Sequence, residues 1–157
     1  MIYKIIQSPI GSIVLASNGN ALRELHIEGD RYFQNIPEDW IEQPNDLLLT
    51  RISNELIEYF NGKDIHFSVP LKYEGTEFQK QVWRELLHIP KGQTVNYAEL
   101  AARIGRPRAV RAVGTAIGKN PLCIIIPCHR VIASNGLGGY VAGLHRKLYL
   151  LNHEHAI

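Results

Sequence analysis

The chain has 157 residues, of which 45% are hydrophobic and 20% are charged, a length that suits one compact domain or two small lobes sharing a core. No apolar run approaches the ~20 residues of a membrane-spanning helix, and the N-terminal segment lacks the features of a signal peptide. The two cysteines, Cys123 and Cys128, are too few for a disulfide scaffold and favour a reducing compartment. We therefore expect a cytoplasmic protein in which at least one thiol is able to react.

The formal net charge of +2 hides an uneven distribution of charge along the chain. Residues 1–75 hold 6 Lys and Arg against 11 Asp and Glu, whereas residues 76–157 hold 11 against 4. No acidic residue lies between Glu99 and Glu154, a stretch that contains 8 Lys and Arg residues. Such a stretch suits a polyanion such as nucleic acid, but a solvated basic surface explains it equally well.

The first third of the chain has the pattern of a small antiparallel sheet. Residues 2–6, 13–17 and 22–27 are rich in β-branched and apolar residues, and turn-forming residues separate them. Residues 28–44 are polar and contain Gly and Pro, so they predict an irregular connection.

A helix is predicted after this connection, because apolar residues recur there every four positions. The helix ends near Asn61 and Gly62, and the loop-like residues 63–75 link it to a second lobe. The recurring apolar residues are Leu48, Ile52, Leu56 and Phe60.

The second lobe begins with a helix whose start is marked by a capping box of Thr76 and Gln79. An apolar stripe at helical spacing follows and is closed by a Pro-Lys-Gly turn at residues 90–92. We expect this stripe to pack into the core of the second lobe. It consists of Phe78, Val82, Trp83, Leu86 and Leu87.

After residue 95 the chain has the pattern of two short helices joined by a tight turn. Asn96 and Glu99 form a capping pair before a helix that stops at Gly105, and Pro107 marks the start of the next helix. This arrangement predicts a helix-turn-helix. The apolar positions are Tyr97, Leu100, Ala101 and Ile104 in the first helix and Val110, Val113 and Ile117 in the second.

The other positions of the second helix combine small residues with one long cation. Small side chains let a helix approach a DNA groove closely, and an arginine can reach into the duplex. Alternatively, the small residues only allow tight helix packing, and Arg108 and Arg111 are solvated charges. Together with the acid-free basic stretch, the motif favours nucleic-acid binding. The positions concerned are Ala109, Arg111, Ala112, Thr115 and Gly118.

An apolar run at residues 122–126 predicts a strand, and Cys128 follows it, where a reactive group can be held rigidly yet exposed. His129 and Arg130 are adjacent in sequence, and proton-accepting or positive neighbours lower the pKa of a thiol. Alternatively, Cys128 is a small buried hydrophobic residue, as we expect for Cys123. The cysteine spacing does not fit a structural zinc site.

A Cys-His hydrolase is a further alternative for this segment. Such an enzyme needs an oxyanion site and a third group that orients the histidine. Glu154 is the sole acidic residue after Glu99, and it is a candidate for that group or else a terminal surface charge.

The sequence around Cys128 resembles a known family. IPCHRV at residues 126–131 is similar to the active-site signature of the O6-alkylguanine-DNA alkyltransferases, also called methylated-DNA–protein-cysteine methyltransferases. Residues in the family's order continue on both sides across the second lobe, and such a chained pattern is more specific than a single short motif. SPIG at residues 8–11 extends the resemblance more loosely to the first lobe.

The resemblance implies an α+β fold of two lobes. Residues 1–75 would form a ribonuclease H-like lobe, a small antiparallel sheet with a helix. Residues 76–157 would form a helical, winged-helix-like lobe that contains the helix-turn-helix and the active site. The zinc ligands that some members carry in the N-terminal lobe are absent from the sequence, so we expect neither a metal nor a cofactor.

The resemblance also implies DNA repair by direct damage reversal. The protein would flip an alkylated guanine out of the duplex and transfer the alkyl group irreversibly from O6 to Cys128, with O4 of thymine as a further target. The thioether product has no acyl carbonyl for water to attack, so each molecule would act once. The expected partner is double-stranded DNA containing O6-alkylguanine, bound by a monomer and without a membrane.

The family's residue roles can be placed on matching positions of this chain. Glu154 would orient His129, which would act through a water as base toward Cys128, and Tyr97 would assist protonation of the leaving guanine. Arg111 would fill the vacated space in the base stack. The hinge before the active-site strand would be Asn120, further DNA contacts would be Arg108, Ala109, Ala112 and Thr115, and the guanine pocket would be Val131, Tyr140, Val141 and Ala142.

Other functions remain open at this point. A binding module would recognise alkylated DNA without repairing it, but relatives of that kind lack the cysteine that Cys128 provides. A regulator would use the helix-turn-helix alone, and substitution of Cys128 would then leave its function intact. A hydrolase would require turnover of a thioester or peptide substrate.

Overall fold

The computed structural model describes residues 1–157 and divides them into two compact units, Met1–Tyr73 and Glu74–Ile157. The sequence pattern places the change of lobe after residue 75. None of the helices has both the length and the apolar composition needed to cross a membrane.

The first unit contains a four-stranded sheet with the strand order β3-β2-β1-β4. The hairpins join β1 (Ile2–Ser8), β2 (Gly11–Ser17) and β3 (Leu22–Ile27) in antiparallel pairs, as the sequence predicts. A two-residue strand, β4 (Ile41–Glu42), adds in parallel to β1. The connection predicted to be irregular contains only this short strand, which the sequence did not indicate because two residues carry no periodic signal.

The helix α1 (Leu47–Phe60) covers one face of this sheet. The Asp46 side chain caps its N-terminus by accepting a hydrogen bond from the Leu49 backbone N–H at 3.0 Å. Ile52 and Leu56 of the predicted stripe are fully buried, whereas Leu48 and Phe60 are only half-buried. Leu49 and Tyr59 are buried in their place, so the helix is predicted correctly but its buried face is rotated by about one residue.

The second unit is mainly helical. Its helices are α2 (Glu77–Leu86), α3 (Tyr97–Arg103), α4 (Val110–Gly118) and α5 (Leu144–His153), and its strands β5 (Val95–Asn96) and β6 (Val131–Ile132) pair in parallel. The capping box of Thr76 and Gln79 is present at the start of α2. The buried Trp83 of α2 donates a hydrogen bond from Nε1 to the carbonyl of Ala116 in α4 at 2.9 Å, which ties the two helices together. Leu87 was predicted in the buried stripe but follows the last residue of α2 and is exposed.

Helices α3 and α4 form the predicted helix-turn-helix, with Asn96 accepting a hydrogen bond from the Glu99 N–H at 2.8 Å. The second helix begins at Val110 rather than at Pro107, and Ala109 occupies its N-cap without a side-chain hydrogen bond. Proline is compatible with a helical start but does not by itself determine one, and here the residues after it form a turn first.

The predicted strand at residues 122–126 is absent. This segment is a series of turns, and Ile124 has a φ of 73°, which is rare for a β-branched residue. Cys128–Arg130 then form a short 3-10 helix that leads into β6. A short apolar run marks burial but does not distinguish a strand from a buried turn, which explains the error.

Candidate active site

The 3-10 helix Cys128–Arg130 places a thiol and an imidazole in the interior of the second unit. Cys128 is 3% exposed and His129 is fully buried. The Nε2 atom of His129 lies 2.8 Å from Oε2 of Glu154, at the C-cap of α5. Residues 25 positions apart in the sequence are thus joined by a buried hydrogen bond, because α5 packs against the 3-10 helix.

Arg130 holds the other side of the Glu154 carboxylate. Its Nε donates to Oε1 at 2.8 Å and its Nη2 to Oε2 at 3.0 Å, while Nη1 donates to the carbonyl of Ile89 at 2.7 Å. Burial raises the pKa of Glu154, but the hydrogen bonds and charges of His129 and Arg130 outweigh burial and hold this pKa well below its usual range. Glu154 is therefore an anion fixed by two partners.

The protonation state of His129 follows from its surroundings. Burial disfavours the imidazolium and, together with the charges of Arg130 and Lys147, lowers the pKa of His129 by more than Glu154 raises it. A neutral ring facing a carboxylate carries its proton on Nε2. The opposite nitrogen, Nδ1, is buried and hydrogen-bonds to no protein group. His129 can therefore accept a proton at Nδ1.

The thiol of Cys128 is tuned toward the thiolate. Hydrogen bonding by the Cys123 thiol lowers the pKa of Cys128, burial raises it, and the Asn120 side chain and the Lys147 ammonium lower it further. The net result is a pKa below the ordinary thiol value. The direction of this shift agrees with the expectation from the sequence, but the side chains responsible are Cys123, Asn120 and Lys147 rather than the sequence neighbours His129 and Arg130.

Lys147 is a buried charged residue close to Cys128 whose contacts the sequence pattern does not reveal. It is fully buried on α5, and its Nζ donates to the carbonyls of Val131 at 2.6 Å and Gly139 at 2.9 Å. Burial lowers the pKa of Lys147 to about 8, although the neighbouring Cys128 thiolate opposes this shift. The signal in the sequence is a lysine on the inward face of a helix, which indicates only that its stem packs there.

Asn120 shapes the turns that lead to Cys128. It is 4% exposed, its Nδ2 donates to the carbonyl of Ile126 at 2.7 Å, and its Oδ1 accepts from the N–H of Leu122 at 2.9 Å. One side chain therefore closes both ends of the apolar segment. The segment after Asn120 is a folded loop rather than the predicted strand, and the role of Asn120 as a hinge stays a prediction.

Tyr97 begins α3 and faces the same site. Burial raises the pKa of Tyr97, a hydrogen bond from the Gly139 backbone lowers it, and the Cys128 thiolate raises it, with a net upward shift. Gly138 has a φ of 73°, and a Cβ built there would lie 2.8 Å from the Tyr97 hydroxyl oxygen. The phenol therefore fits closely against residues 138 and 139.

The predicted pocket residues lie on β6 and on the segment before α5. Val131, Val141 and Ala142 are buried, whereas Tyr140 is half-buried. Lys147 connects the two segments, since its ammonium binds the carbonyls of both Val131 and Gly139. The structure thus brings these residues to the neighbourhood of Cys128. No group of three His, Cys, Asp or Glu side chains is arranged to hold a metal ion.

The predicted DNA-contacting residues form a separate exposed surface on the helix-turn-helix. Arg108, Arg111, Ala112 and Thr115 are exposed and Ala109 is half-buried. All five line a groove of about 610 Å³ between α4 and the start of α2. Its other lining residues are Thr76, Phe78, Gln79 and Ala116.

Helix α4 also packs against Tyr97, which interacts electrostatically with Cys128. A Cβ built at Gly114 would lie 3.9 Å from the ring of Tyr97, so α4 and the first residue of α3 are in close contact. The basic surface and the buried thiol are therefore two sides of one compact unit.

Comparison with known proteins assigns both units. Residues 77–156 match the family described as 6-O-methylguanine DNA methyltransferase, DNA binding domain, and residues 1–73 match its ribonuclease-like domain. A methylated-DNA–protein-cysteine methyltransferase from Methanosarcina barkeri is 49% identical over 155 residues, covering 98% of this chain and 97% of the relative.

Solved structures show the same similarity. The crystal structure of Mycobacterium tuberculosis OGT in complex with DNA aligns with a TM-score of 0.91 and 42% identity over 99% of this chain and 94% of that one. An O6-methylguanine DNA methyltransferase from Methanococcus jannaschii aligns with a TM-score of 0.72 and 31% identity over 98% of this chain and 94% of that one.

Proposed function

The chain belongs to the 6-O-methylguanine DNA methyltransferase family, and we propose that Cys128 is the cysteine to which it transfers the alkyl group. It is a DNA-binding methylated-DNA–protein-cysteine methyltransferase, which repairs DNA by moving an alkyl group from a base to the protein. The observation that carries the assignment to Cys128 is the buried pair of His129 and Glu154 beside that thiol.

His129 serves as the base in this proposal. Its Nε2–H is held by Glu154, so Nδ1 is left to accept the thiol proton of Cys128 through a water molecule. Arg130 keeps the Glu154 carboxylate in place, and Lys147 supplies positive charge toward the thiolate that forms. The geometry supports a base that is neutral before the reaction and stabilised as a cation after it.

Alkyl transfer then breaks one bond and forms another. The Cys128 sulfur attacks the alkyl carbon, the bond from this carbon to O6 breaks, and guanine leaves with the bonding electron pair. Tyr97 supports protonation of the leaving guanine in this proposal, because the phenol lies close enough to Cys128 for the thiolate charge to raise its pKa. The thioether is stable to water, so each molecule acts once.

Recognition of the lesion requires the target base to leave the duplex. The small residues Ala109 and Ala112 on α4 support a close approach to the minor groove, and Arg111 is exposed where it can fill the gap in the base stack. Arg108 and Thr115 flank them and contact the DNA backbone in this proposal. The flipped O6-alkylguanine enters a pocket formed by Val131, Tyr140, Val141 and Ala142.

The proposal also covers the oligomeric state and the cellular location of the protein. We propose a monomer, since one unit carries both the DNA surface and the thiol. We also propose a cytoplasmic location, supported by two cysteines that form no disulfide.

The test is intact-protein mass spectrometry after incubation with excess duplex containing O6-methylguanine, followed by peptide mapping. Wild type should gain a single methyl group on Cys128 and no second one. Cys128→Ser should gain none, whereas the matched variant Cys123→Ser should still be methylated on Cys128. An unmodified wild-type protein that binds the duplex would overturn the assignment in favour of recognition without repair.

A further inference from the structure

The active-site thiol has a second thiol beside it. Cys123 lies within hydrogen-bonding reach of the Cys128 sulfur, and its own sulfur is 4.0 Å from the carbonyl oxygen of Asn120. Both cysteines are buried and neither forms a disulfide in this structure. The Cys123 thiol helps to lower the pKa of Cys128, and its place beside a reactive thiol also suits a second role.

The backbone between the two thiols brings them together. The N–H of Ile126 bonds to the carbonyl of Leu122, and the N–H of Ile125 bonds to the carbonyl of Cys123, both at 2.9 Å. These turns, with Ile124 in the left-handed region, fold the segment back on itself, and the side chains of Cys123 and Cys128 interact across it. Residues 123–127 belong to no helix or strand, so no ladder of hydrogen bonds opposes a small adjustment.

We propose that hydrogen peroxide converts Cys123 and Cys128 into a reversible intramolecular disulfide, with Cys128 as the attacking and Cys123 as the resolving cysteine. The inference rests on the proposed function only in taking Cys128 as the reactive thiol. Its biological consequence is protection, because a disulfide can be reduced whereas sulfinic and sulfonic acids cannot be reduced by ordinary thiols.

The chemistry balances in two steps. The Cys128 thiolate attacks one peroxide oxygen, the O–O bond breaks, and a sulfenic acid forms while the released hydroxide takes up the former thiol proton as water. The Cys123 sulfur then attacks the Cys128 sulfur, the S–O bond breaks, and the hydroxyl group leaves as water with the Cys123 proton. The two thiols lose two hydrogen atoms, and the peroxide is reduced to two waters.

The lowered pKa of Cys128 supports this order of attack. A thiolate is the nucleophile toward peroxides, and the groups that favour the Cys128 thiolate do so before DNA arrives. Cys123 lies within the apolar turn and serves as the thiol that resolves the sulfenic acid.

The test exposes the reduced full-length protein to hydrogen peroxide, labels remaining thiols with N-ethylmaleimide under denaturing conditions, and records intact masses and peptide maps. Wild type should lose two hydrogen atoms, leave both cysteines unlabelled, and regain thiols and methyl acceptance with dithiothreitol. Cys123→Ser should instead accumulate sulfinic or sulfonic acid on Cys128, and dithiothreitol should not restore its methyl acceptance. Cys123→Ala provides a second variant if the serine disturbs folding.

Two outcomes would overturn the proposal. One is sulfinic acid formation on wild-type Cys128 as fast as in Cys123→Ser, and the other is a disulfide that joins two chains. The mass measurements need no DNA, and methyl acceptance by untreated protein is measured separately. A failure of the disulfide is therefore distinguishable from a failure of alkyl transfer.

Discussion

Glu154 shows how a single carboxylate organises the thiol site. It accepts hydrogen bonds from His129 and Arg130 while buried, so a charge that is costly to bury is balanced by an arginine. The same contacts select the His129 tautomer that leaves Nδ1 as an acceptor. Orientation of the base and stability of the C-terminal end of α5 therefore depend on one residue.

Glu154→Gln should slow alkyl transfer about 10²-fold, the lower end of a general-base contribution, with little change in DNA affinity. The amide keeps the shape but not the charge that stabilises the protonated His129. Loss of the buried pair should also cost on the order of 3 kcal/mol of unfolding free energy. Single-turnover kinetics measure the rate of alkyl transfer, duplex binding measures the DNA affinity, and denaturant unfolding measures the free energy of unfolding. Glu85→Gln is the control, because Glu85 is only half-buried and its histidine partner at 3.4 Å, His88, is exposed.

At the scale of elements, residues 138 and 139 determine where Tyr97 of α3 sits. Gly138 has a positive φ and leaves no room for a side chain, since a Cβ would lie 3.2 Å from the Ala133 nitrogen as well as against the phenol. The position of the Tyr97 phenol thus depends on the absence of a side chain at residue 138, which lies in another segment.

Gly138→Ala should reduce the rate of alkyl transfer at least about tenfold and destabilise the protein by roughly 1–3 kcal/mol through backbone strain. Helix α4 is untouched, so duplex affinity should be retained. Gly136→Ala is the matched control, because a Cβ there meets nothing within 4 Å. Equal rates in the two variants would show that the position of Tyr97 does not affect the chemistry.

Helix α4 is the second element whose role can be isolated. Arg111→Ala should slow reaction with alkylated duplex DNA more than reaction with free O6-alkylguanine, because only the duplex must be unstacked. The difference is measured from the reaction rates of the variant and of wild type on alkylated duplex DNA and on free O6-alkylguanine. Arg84→Ala also removes an exposed charge, from α2, and should leave the ratio of the rates on duplex DNA and free base unchanged. Equal losses on both substrates for Arg111→Ala would exclude the stack-filling role.

At the scale of the whole molecule, the two units differ in charge and in what stabilises them. The second unit buries cations and anions around the thiol, whereas the first unit buries His26 between two carboxylates. His26 Nδ1 lies 3.0 Å from Asp30 and Nε2 lies 2.7 Å from Glu24, and the ring stacks on Phe33 at 3.9 Å. Two acceptors for two ring nitrogens favour the doubly protonated imidazolium.

The first unit should accordingly be more stable in mild acid. Burial lowers the pKa of His26, but the hydrogen bonds and charges of Asp30 and Glu24 raise it by more, so the net shift is upward. A raised pKa gives stability that is complete below the unfolded value of 6.5 and is lost as pH rises through the folded value. Thermal unfolding is measured at pH values from below 6.5 upward. The unfolding temperature should fall as pH rises in wild type and in His88→Gln, a control at an exposed histidine, but this fall should be absent in His26→Gln.

Local patterns in the sequence were sufficient for much of this architecture. The three hairpin strands, α1, the Thr76 capping box and the helix-turn-helix were predicted because alternation, four-residue periodicity and capping residues act over a few positions. The residues 122–126 were predicted wrongly, because their fold depends on hydrogen bonds from the Asn120 side chain.

By itself, the sequence determined the family, the elements and the identity of Cys128 as the candidate nucleophile, because these depend on residue types at short, ordered spacings. Only the tertiary structure decided which groups surround that thiol. Two contacts join segments that are far apart in the chain: that of Lys147 with Val131 and that of Arg130 with Glu154. The contact of Cys123 with Cys128 depends on the turns that fold the intervening segment. Burial and charge at the thiol are properties of that packing, and no local pattern encodes them.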